Sequence, residues 1–352
     1  MRILYGVVGQ GFGHATRSRP IIEHLSPSHE VLIAASAQAH TYLTRFFPDV
    51  IDIEGLRLAF DGPDVDPLAT AWKNIARLPV MAARNFGRLL DVGDTFTPDV
   101  VISDFDSFSY MFAELHGIPV ISIDNMHIMT RCRHDVPIPP GCEEDYWIAR
   151  EFIEAKLRDC YHYMITTFFF PEVCEEDTSL YPPVLRPEVL GAAPGRGEHV
   201  LFYQTFPEDG LLEALRGVDA VFRVYGLNRH EDRGNLQLRE FSEDGFLSDL
   251  ASCRAVVATG GFSLMSEAVY LGKPYLAVPV GGQFEQILNA LYLQELGYGE
   301  YHTALTADAI GEFLTRSDAY ADNLRAHRQD GNADILAALD ALLSELQPDS
   351  IS

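Results

Sequence analysis

A pair of glycines before a predicted helix is the stretch of the sequence best suited to bind a phosphate. The pair, Gly260 and Gly261, closes a short apolar run and is followed by Ser263 and Glu267. A helix that begins at glycines presents free N–H groups and the positive end of its dipole, and both favour an anion. Ser263 adds a hydroxyl donor. Glu267, roughly 6 Å further along the helix axis, could accept hydrogen bonds from the ribose hydroxyls of a nucleotide.

A second predicted helix opens with polar side chains beside the same site. Glu285 and Gln286 lie in its first turn, and Asn289 lies one turn beyond Glu285. Residues four apart share one face of a helix, so these side chains could together bind the hydroxyls of a sugar. Capping of the helix and a solvated helix face would each explain any one of them alone.

The first loop of the chain places a histidine among glycines and an arginine. Residues 2–8 predict a buried strand, and the loop after it contains Gly11, Gly13, His14 and Arg17. The loop is close to the dinucleotide fingerprint Gly-x-Gly-x-x-Gly. However, His14 occupies the third glycine position, which argues against a nicotinamide cofactor. An imidazole here could act as a general base, or it could cap its own helix.

Two later predicted strands end in carboxylates that could act together with the histidine. One ends at Asp104 and the other at Asp124, and parallel strands of α/β sheets present their carboxyl ends to ligands. Asp104 is predicted to orient His14, as the acid does in a catalytic triad. Asp104 itself, Asp124 and His127 are alternative bases. The Asp-x-Asp formed by Asp104 and Asp106 is a common chance pattern, so no metal is predicted, and Asp106 could simply cap a helix.

Several of these motifs together resemble the donor-nucleotide signature of GT-B glycosyltransferases. The signature reads Gly-Gly-x-Ser-x-x-x-Glu from Gly260, then Gly-Lys-Pro and an apolar run ending in Pro279, then Glu-Gln-x-x-Asn-Ala from Glu285. It is similar to that of the lipid-intermediate N-acetylglucosaminyltransferases of peptidoglycan synthesis and of the diacylglycerol galactosyltransferases. The first loop, Gly-x-Gly-His-x-x-Arg, also resembles that of nucleotide-sugar hydrolases with the same fold.

The resemblance implies an α/β, GT-B fold with two Rossmann-like domains facing across a cleft. It implies a metal-independent, inverting transfer of a sugar from a nucleoside diphosphate, with UDP expected, to the hydroxyl of a small-molecule or lipid-linked acceptor. A hydrolase or epimerase of the same fold is the alternative. A non-catalytic protein that binds sugar nucleotides is a third hypothesis.

Site residues are expected in three groups. The catalytic pair is His14 and Asp104, and the acceptor side is His127 and Arg131, within residues 127–144, which are predicted to form a long loop. Phe246 and Leu247 are expected to pack on the base because of the resemblance, and Thr205 could reach phosphate from a strand end. The complete expected donor set is Gly11, Gly13, Thr205, Phe246, Leu247, Gly260, Gly261, Ser263, Glu267, Glu285, Gln286 and Asn289.

The composition predicts two domains and excludes several classes of protein. A chain of 352 residues is too long for one ordinary core. It has no apolar run of about 18 residues and enters a strand at once, so we expect a cytoplasmic protein without a membrane span or signal peptide. A formal net charge of −25 argues against nucleic acid as a partner. Five cysteines without a Cys-x-x-Cys pair predict neither disulfides nor a zinc site.

The order of predicted elements suggests where the domains begin and end. Residues 1–180 are predicted to form the N-terminal, acceptor-side domain, whose last strand lies within residues 163–170. A linker rich in proline and glycine covers residues 181–198, and the donor-binding domain covers residues 199–325. Residues 326–352 include an amphipathic helix that, by the resemblance, crosses back to the first domain.

One basic segment stands out in this acidic chain. Residues 67–90 contain no acid after Pro67, while Lys73, Arg77, Arg84 and Arg88 recur at helical spacing. A basic amphipathic helix can lie on an anionic membrane, which would place the protein at the inner face of the membrane. Ion pairs with the protein's own acids explain the pattern equally well.

Overall fold

The computed structural model describes residues 1–9, 11–55, 60–61, 64–65, 83–204, 209–327 and 329–347. For residues 60, 61, 64, 65 and 209 the description covers the backbone only. Within these ranges, no helix is long and apolar enough to cross a membrane.

The first half of the chain alternates strands and helices. Its elements are β1 (Arg2–Val7), α1 (Gly13–Leu25), β2 (Glu30–Ala35), α2 (Ala37–Leu43), β3 (Val50–Asp52), β4 (Phe60–Asp61), β5 (Asp64–Val65), α3 (residues 83–95), β6 (Val100–Asp104), α4 (Ser107–His116), β7 (Val120–Asp124), α5 (Ile128–Arg131), β8 (Cys132–Arg133), α6 (Glu143–Lys156), β9 (His162–Thr166), β10 (Glu172–Val173) and β11 (Thr178–Tyr181).

Seven of these strands form one parallel sheet in the order β11-β9-β7-β6-β1-β2-β3. Every residue of β6 and β7 is buried, as expected for strands covered by helices on both faces. In the pairing of β1 with β6, Val7 lies opposite Asp104. The loop after β1 and the carboxylate that ends β6 therefore reach the same edge of the sheet. The pairs β4–β5 and β8–β10 are short antiparallel ribbons.

The second half repeats this build. Its elements are α7 (Pro187–Leu190), β12 (Val200–Tyr203), α8 (Asp209–Arg216), β13 (Phe222–Tyr225), β14 (Glu231–Arg233), β15 (Leu236–Leu238), α9 (Glu243–Ser252), β16 (Ala255–Ala258), α10 (Phe262–Tyr270), β17 (Tyr275–Ala277), α11 (Phe284–Glu295), β18 (Gly299–Tyr301), α12 (Ala307–Leu324) and α13 (Ala333–Glu345).

The second sheet also has seven strands, in the order β14-β15-β13-β12-β16-β17-β18. Its pairs are parallel except for β14, which is antiparallel to β15 at the edge. The central strands β12 and β16 bring Tyr203 and Ala258 to the same edge. The start of α10 follows β16 directly, so the two glycines leave the sheet at its ligand-binding edge.

The last helix, α13, packs against the first sheet. Its residues Ile335, Leu339 and Leu343 are buried in one cluster with Ile3 of β1 and Ile21 of α1. At the rim of this contact, Nε2 of His24 lies 3.0 Å from the carboxylate of Asp340. The end of the chain thus covers the helix that begins at the first loop.

Two expectations about local structure are wrong. The last strand of the first half was expected within residues 163–170, but β9 ends at Thr166 and a later strand, β11, pairs with it. After β9, Phe168 stacks on Phe262 and Phe169 stacks on Tyr292. The stretch 127–144 is not one long loop, since α5 and β8 lie within it. Both errors arise because pairing and packing between distant segments override the local pattern.

Candidate active site

His14 and Asp104 are in contact at the edge of the first sheet. Nδ1 of His14 lies 2.8 Å from Oδ1 of Asp104, across 90 positions of sequence. The side chain of Asp104 is 1% exposed and that of His14 is 19% exposed. The carboxylate is therefore enclosed, while the imidazole keeps access to solvent. The proximity expected from the strand ends is present in the structure.

Arg17 binds the same carboxylate and is the residue that the sequence analysis left without a role. Its Nε donates to Oδ2 of Asp104 at 2.8 Å, and its Nη2 donates to Oδ1 at 2.5 Å. Ser18 adds a hydroxyl donor to Oδ2 at 2.8 Å. Nη2 of Arg17 also lies 2.6 Å from Nδ1 of His14. The sequence contained one indication that Arg17 lies beside His14, because residues three apart share one face of a helix.

These contacts shift the ionisation of both partners. Burial opposes ionisation of Asp104, but the charges of Arg17 and His14 outweigh it and lower the pKa of the carboxyl. Burial and the charge of Arg17 lower the pKa of His14, against the opposing effect of Asp104. His14 is therefore a neutral imidazole at neutral pH, the form that can accept a proton.

A hydrogen-bonded chain runs from this site to α11 in the second half of the chain. Nη1 of Arg17 donates to Oδ1 of Asn125 at 2.5 Å, and Nδ2 of Asn125 donates to Oε1 of Glu285 at 2.8 Å. Nδ2 of Asn289 donates to the same oxygen of Glu285 at 2.6 Å. Burial raises the pKa of Glu285. Asn125 was not among the expected site residues, although it directly follows the strand-end residue Asp124.

The first glycine of the pair is held tightly against α11. The N–H of Gly260 donates to Oε1 of Gln286 at 3.1 Å, and its carbonyl accepts from Nδ2 of Asn289 at 3.1 Å. A Cβ at Gly260 would lie 2.3 Å from the carbonyl oxygen of Gln286, so only glycine fits. Gln286 and Asn289 therefore shape this turn with the same groups that were expected to bind sugar.

The second glycine begins α10 opposite the first loop. Gly261 is the N-cap residue, and no described side chain caps the helix, which leaves its first N–H groups available to a ligand. A Cβ at Gly13 would lie 2.4 Å from Oγ of Ser263. The first turn of α1, which carries His14, and the start of α10 therefore touch each other. Gly11, which has a φ of 73°, lies in the loop just before α1.

Glu267 lies one turn into α10, where a carboxylate was expected to bind the ribose hydroxyls. Its carboxylate already has a partner within the protein. Nε and Nη2 of Arg186 donate to its two oxygens at 2.8 and 3.0 Å. Both residues are buried. Burial disfavours the charged guanidinium, yet the charge of Glu267 outweighs it and raises the pKa of Arg186. Arg186 lies in the predicted linker and was not among the expected site residues.

The expected base-packing residues lie at the start of α9. Phe246 is 7% exposed and packs against the rings of Tyr203, Tyr225 and Phe241 at 5.5, 5.0 and 5.6 Å between centroids. Leu247 is partly buried beside it. Core packing uses much of the Phe246 ring. Thr205, the expected phosphate contact, falls outside the residues that the structure describes.

The two expected acceptor residues are bonded within the first half of the chain. His127 is 1% exposed, and its Nδ1 lies 2.7 Å from Oδ2 of Asp124. Its buried Nε2 has no hydrogen-bond partner among the described residues. Nε of Arg131 donates to Thr178 at 2.6 Å, and its guanidinium also pairs with Asp177. Arg131 is thus held within the first half of the chain, and the unpartnered Nε2 of His127 is buried.

Other expected features have simpler local partners. Asp106 caps α4, since its Oδ2 accepts from the N–H of Ser109 at 2.8 Å. The part of the chain that the structure describes holds no cluster of three metal-ligating side chains. In the basic segment, Arg84 pairs with Glu54, and Arg88 lies 3.9 Å from Asp91. Lys73 and Arg77 lie outside the described residues.

Two Rossmann-like parallel sheets that meet at such a network form the GT-B architecture of glycosyltransferases. Solved structures with this fold cover nearly the whole chain. One is the glycotransferase of kitacinnamycin, with 18% identity, a TM-score of 0.69, and coverage of 98% of this chain and 99% of that one. Another is the calicheamicin glycosyltransferase, with 18% identity, a TM-score of 0.68, and coverage of 99% and 100%. Phytolacca americana UGT2, complexed with UDP-2fluoro-glucose and pterostilbene, has 14% identity, a TM-score of 0.64, and coverage of 97% and 99%.

The chain belongs to glycosyl transferase family 1, whose family model matches residues 1–317. It is also similar to two proteins described as uncharacterized glycosyltransferases. The one from Methanosarcina mazei is 24% identical over 337 residues, and the one from Methanosarcina acetivorans is 23% identical over 329 residues. Both alignments cover 85% of each chain. The protein is therefore a glycosyltransferase with the GT-B fold, as the sequence resemblance implied.

Proposed function

We propose that this glycosyltransferase moves a sugar from a nucleoside diphosphate to an acceptor hydroxyl with His14 as the general base. The contact between His14 and Asp104 carries the proposal, because it gives a fixed orientation to a neutral imidazole that keeps access to solvent. Gly13, the neighbour of His14, touches Ser263 at the start of α10. The base and the expected diphosphate site are thereby adjacent.

The rival bases are less suited to the task. Asp104 accepts hydrogen bonds from Arg17 and Ser18 and is 1% exposed. Asp124 and His127 are each 1% exposed and bonded to each other. A general base must come within hydrogen-bond reach of the proton that it removes. Of the four candidates, His14 is the one that combines solvent access with an oriented ring.

The proposed reaction is a single displacement without a metal. The acceptor hydroxyl loses its proton to His14 as its oxygen bonds to the anomeric carbon of the sugar. The bond from that carbon to the diphosphate breaks, and the nucleoside diphosphate leaves with the bonding electrons, so the configuration inverts. The free N–H groups of α10 and the hydroxyl of Ser263 stabilise the charge on the leaving diphosphate. Asp104 stabilises the imidazolium ion.

We propose that the donor is a UDP-sugar bound along α10. The complex of Phytolacca americana UGT2 with UDP-2fluoro-glucose shows that a protein of this fold holds such a nucleotide. Glu267 would accept the ribose hydroxyls through lone pairs that Arg186 leaves unused, and Arg186 would fix its orientation. The sugar would face Glu285, Gln286 and Asn289. The proposed donor set also includes Gly11, Thr205, Phe246 and Leu247.

We also propose an acceptor side and limits for the two domains. The donor signature favours a lipid-linked or small-molecule acceptor, with His127 and Arg131 near its path. For Arg131 to bind it, its present partner Asp177 would have to be released or shared, and for His127 to bind it, the buried Nε2 would have to become accessible. We propose that residues 1–180 and 199–325 form the two domains and that residues 181–198 join them. Residues 326–352 would form the segment that crosses back to the first domain.

Release of nucleoside diphosphate from a panel of nucleotide sugars tests the proposal directly. We expect release with a suitable acceptor, unchanged by EDTA, and a product of inverted anomeric configuration by NMR. Strict dependence on a chelatable metal would overturn the metal-free mechanism. Quantitative donor hydrolysis without any acceptor would instead identify a nucleotide-sugar hydrolase.

A further inference from the structure

A cavity lies between α6 and α11, and neither His14 nor the glycine pair lines it. Its volume is about 460 Å³, which is within the range of ligand pockets in proteins. Apolar side chains from both halves of the chain line it, including Val136 and Ile138 before α6 and Phe284, Leu288 and Leu291 on α11. A ligand here would therefore contact the acceptor-side segment and the donor-side helix at once.

The charge of this cavity differs from that of the rest of the molecule. The chain has 51 acids and 26 lysines and arginines, yet the described residues that line the cavity include Arg133 and Arg150 and no carboxylate. Arg133 pairs with Glu172 outside the lining. The hydrogen bonds that Arg150 makes to described residues go to neutral groups, the carbonyl of Met129 and the hydroxyl of Tyr146. Arg150 thus brings a positive charge to an apolar wall without a carboxylate partner among the described residues.

The cavity is distinct from the proposed catalytic site, although both use α11. Glu285 and Asn289 point to Asn125 and Gly260, while Phe284 and Leu288 lie on the adjoining helix face, about 100° around the axis. The lining includes none of His14, Arg17 and Asp104. A binding assay for this cavity therefore does not require glycosyl transfer to take place.

We propose that this cavity is a binding site for an amphipathic monoanion, a molecule with an apolar aromatic or aliphatic body and one carboxylate or sulfonate group. The apolar lining would bury the body of the ligand, and Arg150 would donate charge-assisted hydrogen bonds to the anion. The surrounding acidity of the protein disfavours dianions and polyanions, whereas one charge can be balanced by the guanidinium. The inference goes beyond the proposed transfer reaction and does not depend on it.

Two matched fluorescent probes test both parts of the proposal on the full chain. The anionic probe is 8-anilinonaphthalene-1-sulfonate, and N-phenyl-1-naphthylamine has the same aromatic frame without the sulfonate. We expect saturable binding of one equivalent of the sulfonate and at least tenfold weaker binding of the neutral probe. Equal affinity for the two probes would overturn the assignment of an anion site.

Two substitutions locate the binding. Arg150→Gln should weaken the sulfonate about tenfold or more, the usual effect of losing a charge-assisted hydrogen bond, and leave the neutral probe unchanged. Leu291→Glu, which places a carboxylate at the partly buried wall, should weaken both probes. Arg158→Gln, an exposed arginine just after α6 that does not line the cavity, is the matched control and should change neither. Binding that survives Arg150→Gln and Leu291→Glu undiminished would refute the site.

Cys174 provides a readout that does not depend on fluorescence. Its exposed thiol lines the cavity. The sulfonate probe should slow the alkylation of Cys174 by iodoacetamide, and this protection should disappear in Arg150→Gln. Peptide mass spectrometry measures the extent of alkylation over time. Alkylation of Cys174 at the same rate with and without saturating probe would place the probe elsewhere and contradict the proposal.

Discussion

Arg17 binds both carboxylate oxygens of Asp104, at 2.8 and 2.5 Å. The aspartate that orients the proposed base is therefore already paired with a guanidinium, and Arg17 also lies 2.6 Å from Nδ1 of His14. Compared with a simple histidine–aspartate dyad, this arrangement weakens the attraction between the carboxylate and an imidazolium ion. The base is thereby kept neutral at neutral pH.

Arg17 should set the lower pH limit of activity. The proposed reaction needs neutral His14, so kcat/KM should fall as the pH drops through the pKa of His14. Burial and Arg17 hold that pKa below its ordinary value of 6.5, which places the acidic limb below 6.5. Arg17→Gln removes a positive neighbour and frees the charge of Asp104, and both changes raise the pKa. The acidic limb of the kcat/KM profile should therefore move to higher pH.

Arg19→Gln is the control for this experiment, because Arg19 lies on the same helix but pairs with Glu23 and Glu188. Its acidic limb should match that of the unsubstituted protein. A limb that stays in place in Arg17→Gln, or moves to lower pH, would show that another group is titrating.

His14→Ala should lower kcat by about 10²–10⁴-fold and leave the affinity for the donor nearly unchanged, because a general base acts only in the transition state. Steady-state kinetics and calorimetry with UDP measure the two effects. If the variant keeps more than about a third of the original kcat while His127→Ala abolishes turnover, the base is elsewhere.

Asp104→Asn should cost stability as well as activity. Removing the charge of a carboxylate that is 1% exposed leaves Arg17 buried without a counter-ion, a loss of about 3–5 kcal/mol. Urea unfolding measures the loss. Because the pKa of Asp104 is lowered, its contribution is present above the unfolded-state pKa of about 3.9 and declines as the pH falls through the lower folded-state value. The two proteins should converge in stability in strong acid.

The neighbouring aspartate is a matched control for that loss. Asp106→Asn also changes a buried carboxylate, but Asp106 caps α4 and asparagine caps a helix about equally well. We expect a loss below about 1 kcal/mol. Equal losses at the two positions would mean that the ion pair with Arg17 contributes nothing.

Glu267→Ala should weaken donor binding, and it should also destabilise the protein because Arg186 loses its buried counter-ion. A charged carboxylate that accepts ribose hydroxyls contributes about 1.5–3 kcal/mol for each hydrogen bond, which is about tenfold or more in Kd. Arg186→Met should weaken the donor as well, because Glu267 loses the partner that orients it. Glu188→Ala, which removes an acid bonded to Arg19 instead, is the control. An unchanged UDP affinity in Glu267→Ala, measured by calorimetry on folded protein, would reject the ribose assignment.

The two glycines before α10 should respond differently to alanine. A Cβ at Gly260 would lie 2.3 Å from the carbonyl oxygen of Gln286, whereas at Gly261 the nearest atom, Oγ1 of Thr259, would be 3.8 Å away. We expect Gly260→Ala to destabilise the protein by about 1–3 kcal/mol, as overpacking does, and Gly261→Ala to have little effect on stability. Thermal unfolding of both variants measures the difference. Similar melting temperatures for the two would contradict the close approach of α11 to Gly260.

Much of the architecture could be predicted from the sequence because parallel strands carry local signals. The buried runs that end at Asp104 and Ala258 and the glycines after β16 indicated two βα domains and the start of α10 at a ligand-binding edge. Strand pairing is directional, so the sequence also indicated that His14 and Asp104 would meet. These signals depend on hydrophobic runs and backbone freedom, which neighbouring residues determine.

Only the tertiary structure decided which partner each polar group finds. Arg17, Asn125 and Arg186 join the site through contacts across 81 to 108 positions of sequence, and nothing in the spacing of the chain specifies such pairs. His127 and Arg131 looked available for a ligand but are bonded to Asp124 and Asp177. A buried charge must find a counter-charge or a hydrogen bond, and the fold determines which ones lie within reach.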